Sequence, residues 1–144
     1  MSHLRWFSLV GMIVLALAGC GGDGKGEEGE GGGEAEAACT GSPLSEAPKL
    51  PAKFPTFDSV TYTQQSTQGP TEIVEGYYEG DVEDAHDEVK AALESAGFTI
   101  LFDELEEDDS EVSWKGQGRS GQVAMRMECG DEDKTFVHIT NRPE

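Results

Sequence analysis

At 144 residues the chain is long enough for one small domain and hardly two. Its 29 acidic residues against 10 Lys and Arg leave a net charge of −19, which excludes nucleic acid as a natural partner, because such binding rests on cations neutralising phosphates. Anionic lipid headgroups repel the same charge, so any membrane attachment must come from something other than electrostatics.

The chain opens with a single basic residue, Arg5, and then runs from Trp6 to Ala18 without a charge. That is the layout of a secretory signal, and its apolar part is short for a membrane-spanning helix. It ends in Leu17-Ala18-Gly19-Cys20, which resembles the lipobox of bacterial lipoproteins. The resemblance implies cleavage after Gly19, transfer of a diacylglyceryl group to the Cys20 thiol, and acylation of the new amino group. Residues 1–19 are then a signal peptide, and Cys20 holds the mature chain at the extracytoplasmic face of a cell membrane. One acyl chain of about 14 carbons binds only marginally, whereas two or three anchor stably.

With Cys20 lipidated, Cys39 and Cys129 remain. An even remainder in an exported chain favours a disulfide between them, against two separate thiols as the alternative. Closing a loop of about 90 residues is valued by chain entropy at roughly 4–5 kcal/mol, an upper figure. Between the lipid site and the domain, residues 20–42 are mostly Gly, Glu and Ala. This composition offers little apolar surface to bury, so the segment is expected to be a disordered tether spanning about 25 Å.

The expected domain covers residues 43–144. It begins with a lead-in holding Pro43, Pro48, Pro51 and Pro55, where proline removes ladder donors and favours extended backbone. Val60–Gln65 and Glu72–Glu79 read as strands separated by a Gly69-Pro70 turn. Asp81 caps a helix running to about Ala96, with Val82, Ala85, Val89, Ala92, Leu93 and Ala96 on one stripe and Gly97 just past the end. Phe98–Phe102 is apolar on both faces and is expected to lie centrally. Glu111–Lys115, Gln122–Glu128 and Thr135–Thr140 follow as alternating strands joined by short polar connections, which implies antiparallel neighbours. The expected class is a two-layer α+β sandwich, ββαββββ, with one helix on one face of the sheet. This layout and its Leu50-Pro-x-x-Phe-Pro55 lead-in resemble small domains of secreted bacterial lipoproteins over residues 50–141. The resemblance implies a fold and no activity.

Catalytic chemistry has few handholds. His3 leaves with the signal; His86 sits at the edge of the helical stripe and His138 alternates with Val137 and Ile139. Neither belongs to a Cys/His cluster at metal-ligand spacing, so both read as boundary histidines. Ser120, in Gly118-Arg-Ser-Gly121, has no strand-to-helix elbow to sit on. The Gly116-x-Gly-x-x-Gly121 spacing copies a dinucleotide fingerprint, but a strand follows where a helix is needed. No cofactor and no catalytic residue is expected. Carboxylates crowd Asp103–Glu111 and Asp131–Asp133, making Asp108, Asp109, Asp131 and Asp133 weak candidates for a calcium or other cation site, though the calcium-loop pattern is missing. Arg119, Arg126 and Arg142 offer positive charge to an anionic partner or counter-charge to the carboxylates.

One feature favours interaction. With one helix covering one sheet face, residues of opposite parity should face water, yet Ile73, Tyr77 and Leu101 there are apolar or aromatic. Either they form a binding face, or the lead-in covers them through Leu50, Phe54 and Phe57. The sequence thus points to a lipid-anchored, non-catalytic interaction module with an envelope protein or cell-wall partner. A cation-responsive acidic domain and a small hydrolase are the alternatives.

Overall fold

The computed structural model describes residues 32–131 and 133–144. The signal, Cys20 and the first part of the expected tether lie outside the described residues. Eight elements follow in order: α1 (Gly32–Thr40), β1 (Val60–Gln68), β2 (Thr71–Glu79), α2 (Val82–Ser95), β3 (Thr99–Leu105), β4 (Asp109–Gly116), β5 (Arg119–Arg126) and β6 (Lys134–Pro143). The six strands form one antiparallel sheet in the order β1-β2-β6-β5-β4-β3.

That order makes α2 the crossover. After the β1–β2 hairpin the chain passes to the far edge of the sheet, then returns strand by strand until β6 closes against β2. From β2 to β3 is four interstrand spacings, about 19 Å, and a 14-residue helix is about 21 Å long. Helix length and sheet width therefore match. Both helix ends are chemically defined. The Asp81 carboxylate accepts the Asp84 N–H at 2.8 Å. At the other end Phe98 N–H donates to the Leu93 carbonyl and Gly97 N–H to that of Glu94, both at 3.0 Å. This is a Schellman closure, with Gly97 supplying a φ of +83°.

Under α2 lies the main core. Val74, Val112, Val123, Met125, Val137 and Ile139 are fully buried or nearly so beneath Ala85, Val89 and Leu93. The proline-rich lead-in enters this same layer. Phe54 stands 5.0 Å from the Trp114 ring and 5.6 Å from that of Phe98, and Trp114 and Phe98 meet edge-on at 5.2 Å. Such aromatic pairs contribute about 0.5–1.5 kcal/mol each beyond their buried area. The lead-in is thus a lid on the α2 side of the sheet. The expectation that Leu50, Phe54 and Phe57 cover the opposite face is corrected: Phe54 and Phe57 are buried in the α2 core, and Leu50 packs against it.

Three further corrections follow. The one-helix sandwich is overturned, because the described residues form two helices and a six-stranded antiparallel sheet. The second helix, α1, occupies residues expected to be disordered tether. Ala35, Ala38 and Cys39 sit at helical spacing on one side of it and pack with Phe136 on the sheet face opposite α2. Lastly, Phe98–Phe102 is not central, since β3 is an edge strand. Phe98 itself precedes β3 and buries in the core, Ile100 keeps one side of the strand against the α2 layer, and Leu101 and Phe102 stay exposed, as an edge position allows.

The disulfide between Cys39 and Cys129 is present, joining positions 90 apart in the sequence. A nine-residue helix rich in Gly and Ala is marginal alone. The disulfide fixes its C-terminal end to the β5–β6 connection, and the Thr63 hydroxyl donates to the Ala38 carbonyl at 2.7 Å. Replacing Cys39 and Cys129 together by Ser should lower unfolding free energy by about 2–4 kcal/mol and expose Thr40–Pro43 to protease while α2 stays protected. Urea titration and limited proteolysis measure both effects; an unchanged midpoint would mean that α1 is held by packing alone.

Tyr62 supplies a second measurable contact. Its hydroxyl accepts the Phe57 N–H at 3.3 Å, tying the lead-in to β1. Burial pushes the phenol up to about 12; the Phe57 hydrogen bond opposes this, and the nearby Glu88 and Asp58 charges add to it. The native state therefore holds the phenolic proton over a range where the unfolded chain has released it. That stability is fully present below pH ~10 and is lost as pH rises through ~12, by about 2–3 kcal/mol in total. In Tyr62→Phe this component should vanish, giving a flatter decline of Tm between pH ~10 and ~12; parallel alkaline profiles would remove Tyr62 from the account.

Candidate functional site

The sheet has one covered face and one partly covered face. On the second, α1 lies over the β1–β2–β6 end, where Tyr77 and Cys129 pack against its cluster and the Lys134 ammonium stands 4.7 Å from the Tyr77 ring centre. Past α1 the face is open. A depression of about 260 Å³ runs beside Glu34, Phe136 and His138, and one of about 390 Å³ beside Leu101, Ser113 and Arg142. Both include Gln122 and Thr140, so they form one trough across β6, β5 and β4.

Strand alternation explains its polar floor. Val123, Ile139 and Val112 point into the α2 core, which sends Gln122, Thr140 and Ser113 to the other side. Gly121 sets how closely the strands approach here, since a Cβ would come within 1.9 Å of the Thr140 carbonyl oxygen. His138 Nδ1 lies 2.9 Å from the Glu75 carboxylate, and Glu75 is largely buried. This fixes the imidazole at one end of the trough. Side-chain hydroxyls, a carboxamide and one imidazole line the trough together with the carboxylates of Glu34 and Glu128 and the guanidinium groups of Arg126 and Arg142, a set suited to hydrogen-bonding a polar ligand.

The residues expected to form a binding face do not converge. Ile73 is half-buried on β2, Tyr77 lies against the α1 cluster, and Leu101 is 55% exposed four strands away, bordering the larger depression. Among the arginines, Arg119 bonds Glu72 and Arg126 bonds Asp109 at 3.0 Å, while Arg142 borders the trough. Asp108 and Asp109 sit at the β3–β4 turn; Asp131 and Asp133 share a local turn in which the Asp131 carboxylate accepts the Asp133 N–H at 3.2 Å. Among the described residues no three His, Cys, Asp or Glu side chains are grouped to hold a metal ion. Ser120 borders the larger depression, and the Gly116–Gly121 segment is a hairpin whose Gln117 and Gly118 both have positive φ (58° and 73°), the geometry of a type I′ turn.

A second constellation was not foreseen. His86 Nδ1 lies 2.6 Å from Ser110 Oγ and its Nε2 lies 3.1 Å from Asp103, whose other oxygen pairs with Lys90. The contact with the Asp103 carboxylate pushes the Lys90 ammonium above its ordinary range. Serine, histidine and aspartate are the groups of a hydrolytic triad. Here, however, His86 is 4% and Ser110 1% exposed, and the Ser110 hydroxyl donates to the Glu104 carbonyl at 2.9 Å. The nucleophile faces inward and its proton is committed to backbone. The cluster instead joins α2 to the β3–β4 hairpin. No local spacing reveals it, because the residues come from a helix, an edge strand and the strand beside it.

No protein-family model matches the chain, and no curated protein matches it. The structure defines its class as a disulfide-closed α+β domain on a six-stranded antiparallel sheet.

Ser110 should resist a fluorophosphonate probe on the folded protein, with intact-mass measurement showing no adduct. Labelling lost in Ser110→Ala would revive the hydrolase alternative.

Proposed function

We propose that this protein is a lipid-anchored, extracytoplasmic binding module that is not an enzyme. The observation that carries the reading is Leu17-Ala-Gly-Cys20 placed directly after an uncharged apolar run. The Cys39–Cys129 disulfide supports it, because such bonds persist in oxidising compartments outside the cytoplasm. Eleven residues separate Cys20 from Gly32, so the domain stays within about 40 Å of the lipid along the chain. At that range the negative charge of the mature chain, 29 acidic against 9 basic residues once Arg5 leaves with the signal, keeps the domain off anionic headgroups and leaves its surfaces open to a partner.

The trough is the surface proposed for binding an envelope protein or cell-wall component. Its floor carries hydrogen-bonding groups without a committed nucleophile, which suits recognition better than turnover.

Full-length protein expressed in a bacterial host with metabolically labelled fatty acid should carry the label and enter the detergent phase on temperature-induced phase separation. Cys20→Ser should lose the label and remain aqueous. A Cys20→Ser protein that still partitions with detergent would overturn the anchor. In-cell crosslinking from Gln122 should capture one envelope component, and crosslinks confined to the protein's own chain would overturn the trough as a binding surface.

A further inference from the structure

The chain treats the two sheet edges differently. Along β1 the lead-in supplies partners: Leu44 N–H donates to the Tyr62 carbonyl at 2.8 Å and Lys49 N–H to the Gln65 side chain at 3.2 Å. From Gln64 to Gln68 that strand is also polar throughout. β3 has neither protection. Among the described residues it pairs only with β4, and its residues are almost all exposed. Glu106 N–H bonds the Asp109 carbonyl at 2.8 Å. By alternation Glu104 and Phe102 direct their backbone groups to β4, while Asp103 and Leu105 turn theirs outward.

The side chains make this edge unusual. Four large apolar side chains are exposed among the described residues, and Leu101, Phe102 and Leu105 are three of them. Natural edges are commonly guarded by a charge or a bulge. A bulge lies between Ile100 and Phe102, but the charge at Asp103 is drawn to Lys90 and His86 on α2. At the hairpin end, Glu104, Glu106, Glu107 and Asp108 have no ion-pair partner among the described residues. The edge therefore offers backbone groups and apolar contact along its length, and uncompensated negative charge at one end.

We propose that β3 is a strand-addition site for an extended segment of another protein. That segment carries apolar side chains at alternate positions and Lys or Arg at its N-terminal end. An antiparallel segment starts opposite Leu105, so its basic end meets Glu104–Asp108 and its apolar positions meet Leu101 and Phe102. A second copy of this chain fits worse. It would bring another −19 of charge and lay its own acidic end across Thr99–Leu101, where β3 has no cation. The inference rests on the reading of the protein as a binding module but uses a surface distinct from the trough.

The test uses the full chain in neutral detergent micelles and a fluorescent peptide, KRKVTITV. Anisotropy should show saturable binding, weakened about tenfold when the three basic residues become Glu, and likewise in Glu104→Lys/Glu106→Lys. Methylating alternate peptide nitrogens should abolish binding. Hydrogen exchange should slow at Asp103 and Leu105. Equal binding of the N-methylated peptide, or protection at Gln122 and Thr140 instead, would overturn strand addition. So would self-association of the chain that Phe102→Lys removes, since the occupant would then be a second copy. If these outcomes occur while Cys20 still directs detergent partitioning, strand addition alone falls and the anchored module stands.

Discussion

Everything in this fold follows from one geometric constraint: a six-stranded sheet about 24 Å wide has two faces to cover and a single substantial helix with which to cover them. The helix takes one face because the crossover from β2 to β3 carries it there. The aromatic lead-in closes the same layer, with Phe54 and Phe57 filling the space beside Trp114. Even there one group is left over, as the buried Trp114 indole N–H has no hydrogen-bond acceptor among the described residues. Among the described residues, the second face receives only α1. Its alanines bury little area, and the covalent link to Cys129 compensates for that small contact. The open trough is the part of the sheet that the other described residues do not reach.

The same constraint explains what could be read from residues alone. The α2 stripe, its Asp81 cap and its Gly97 closure are local signals, so the helix and its boundaries were legible within a residue or so. The strands were also marked between turns, by β-branched or aromatic alternation or, at Phe98–Phe102, by an apolar run. Apart from α1, the misreadings concern which face or edge a segment occupies, and that is set by long-range pairing. Phe98–Phe102 reads as a buried central strand because its apolar residues fall at both parities, and parity says nothing about whether a neighbouring strand covers them. Once Phe98 serves as the helix-closing residue, the remaining strand is an edge with exposed side chains. α1 was hidden because Gly and Glu dominate its neighbourhood; the Ala35, Ala38 and Cys39 spacing was the available signal, and its weight came from the disulfide.

The candidate sites show the same division. Ile73, Tyr77 and Leu101 were grouped on parity, and Ile73 and Tyr77 do share a face, but parity says nothing about lateral distance. Strand order places Leu101 four strands from the other two. The floor of the trough is polar, so a search for unexplained apolar residues passed over Gln122, Thr140 and Ser113. The His86, Asp103 and Ser110 cluster carries the residue types of catalysis without the access that catalysis requires. A buried hydroxyl already donating to a carbonyl cannot lose its proton to the imidazole without giving up that hydrogen bond, at a cost of about 0.5–1.5 kcal/mol. Chemical identity alone would have misassigned it.

The cluster also bears on the edge beside it. A guarding charge works against edge pairing only if it stays in water along the strand, where an incoming segment must desolvate it. At Asp103 the two carboxylate oxygens face Lys90 and His86, both carried by α2. The interaction that holds the hairpin to the helix therefore removes the charge best placed to repel a neighbour. Stability of the β3–β4 hairpin and accessibility of its outer edge are set by the same contacts. Variants that loosen α2 from Asp103 would return a hydrated carboxylate to the middle of β3 and weaken strand addition, even though none of them touches the added strand.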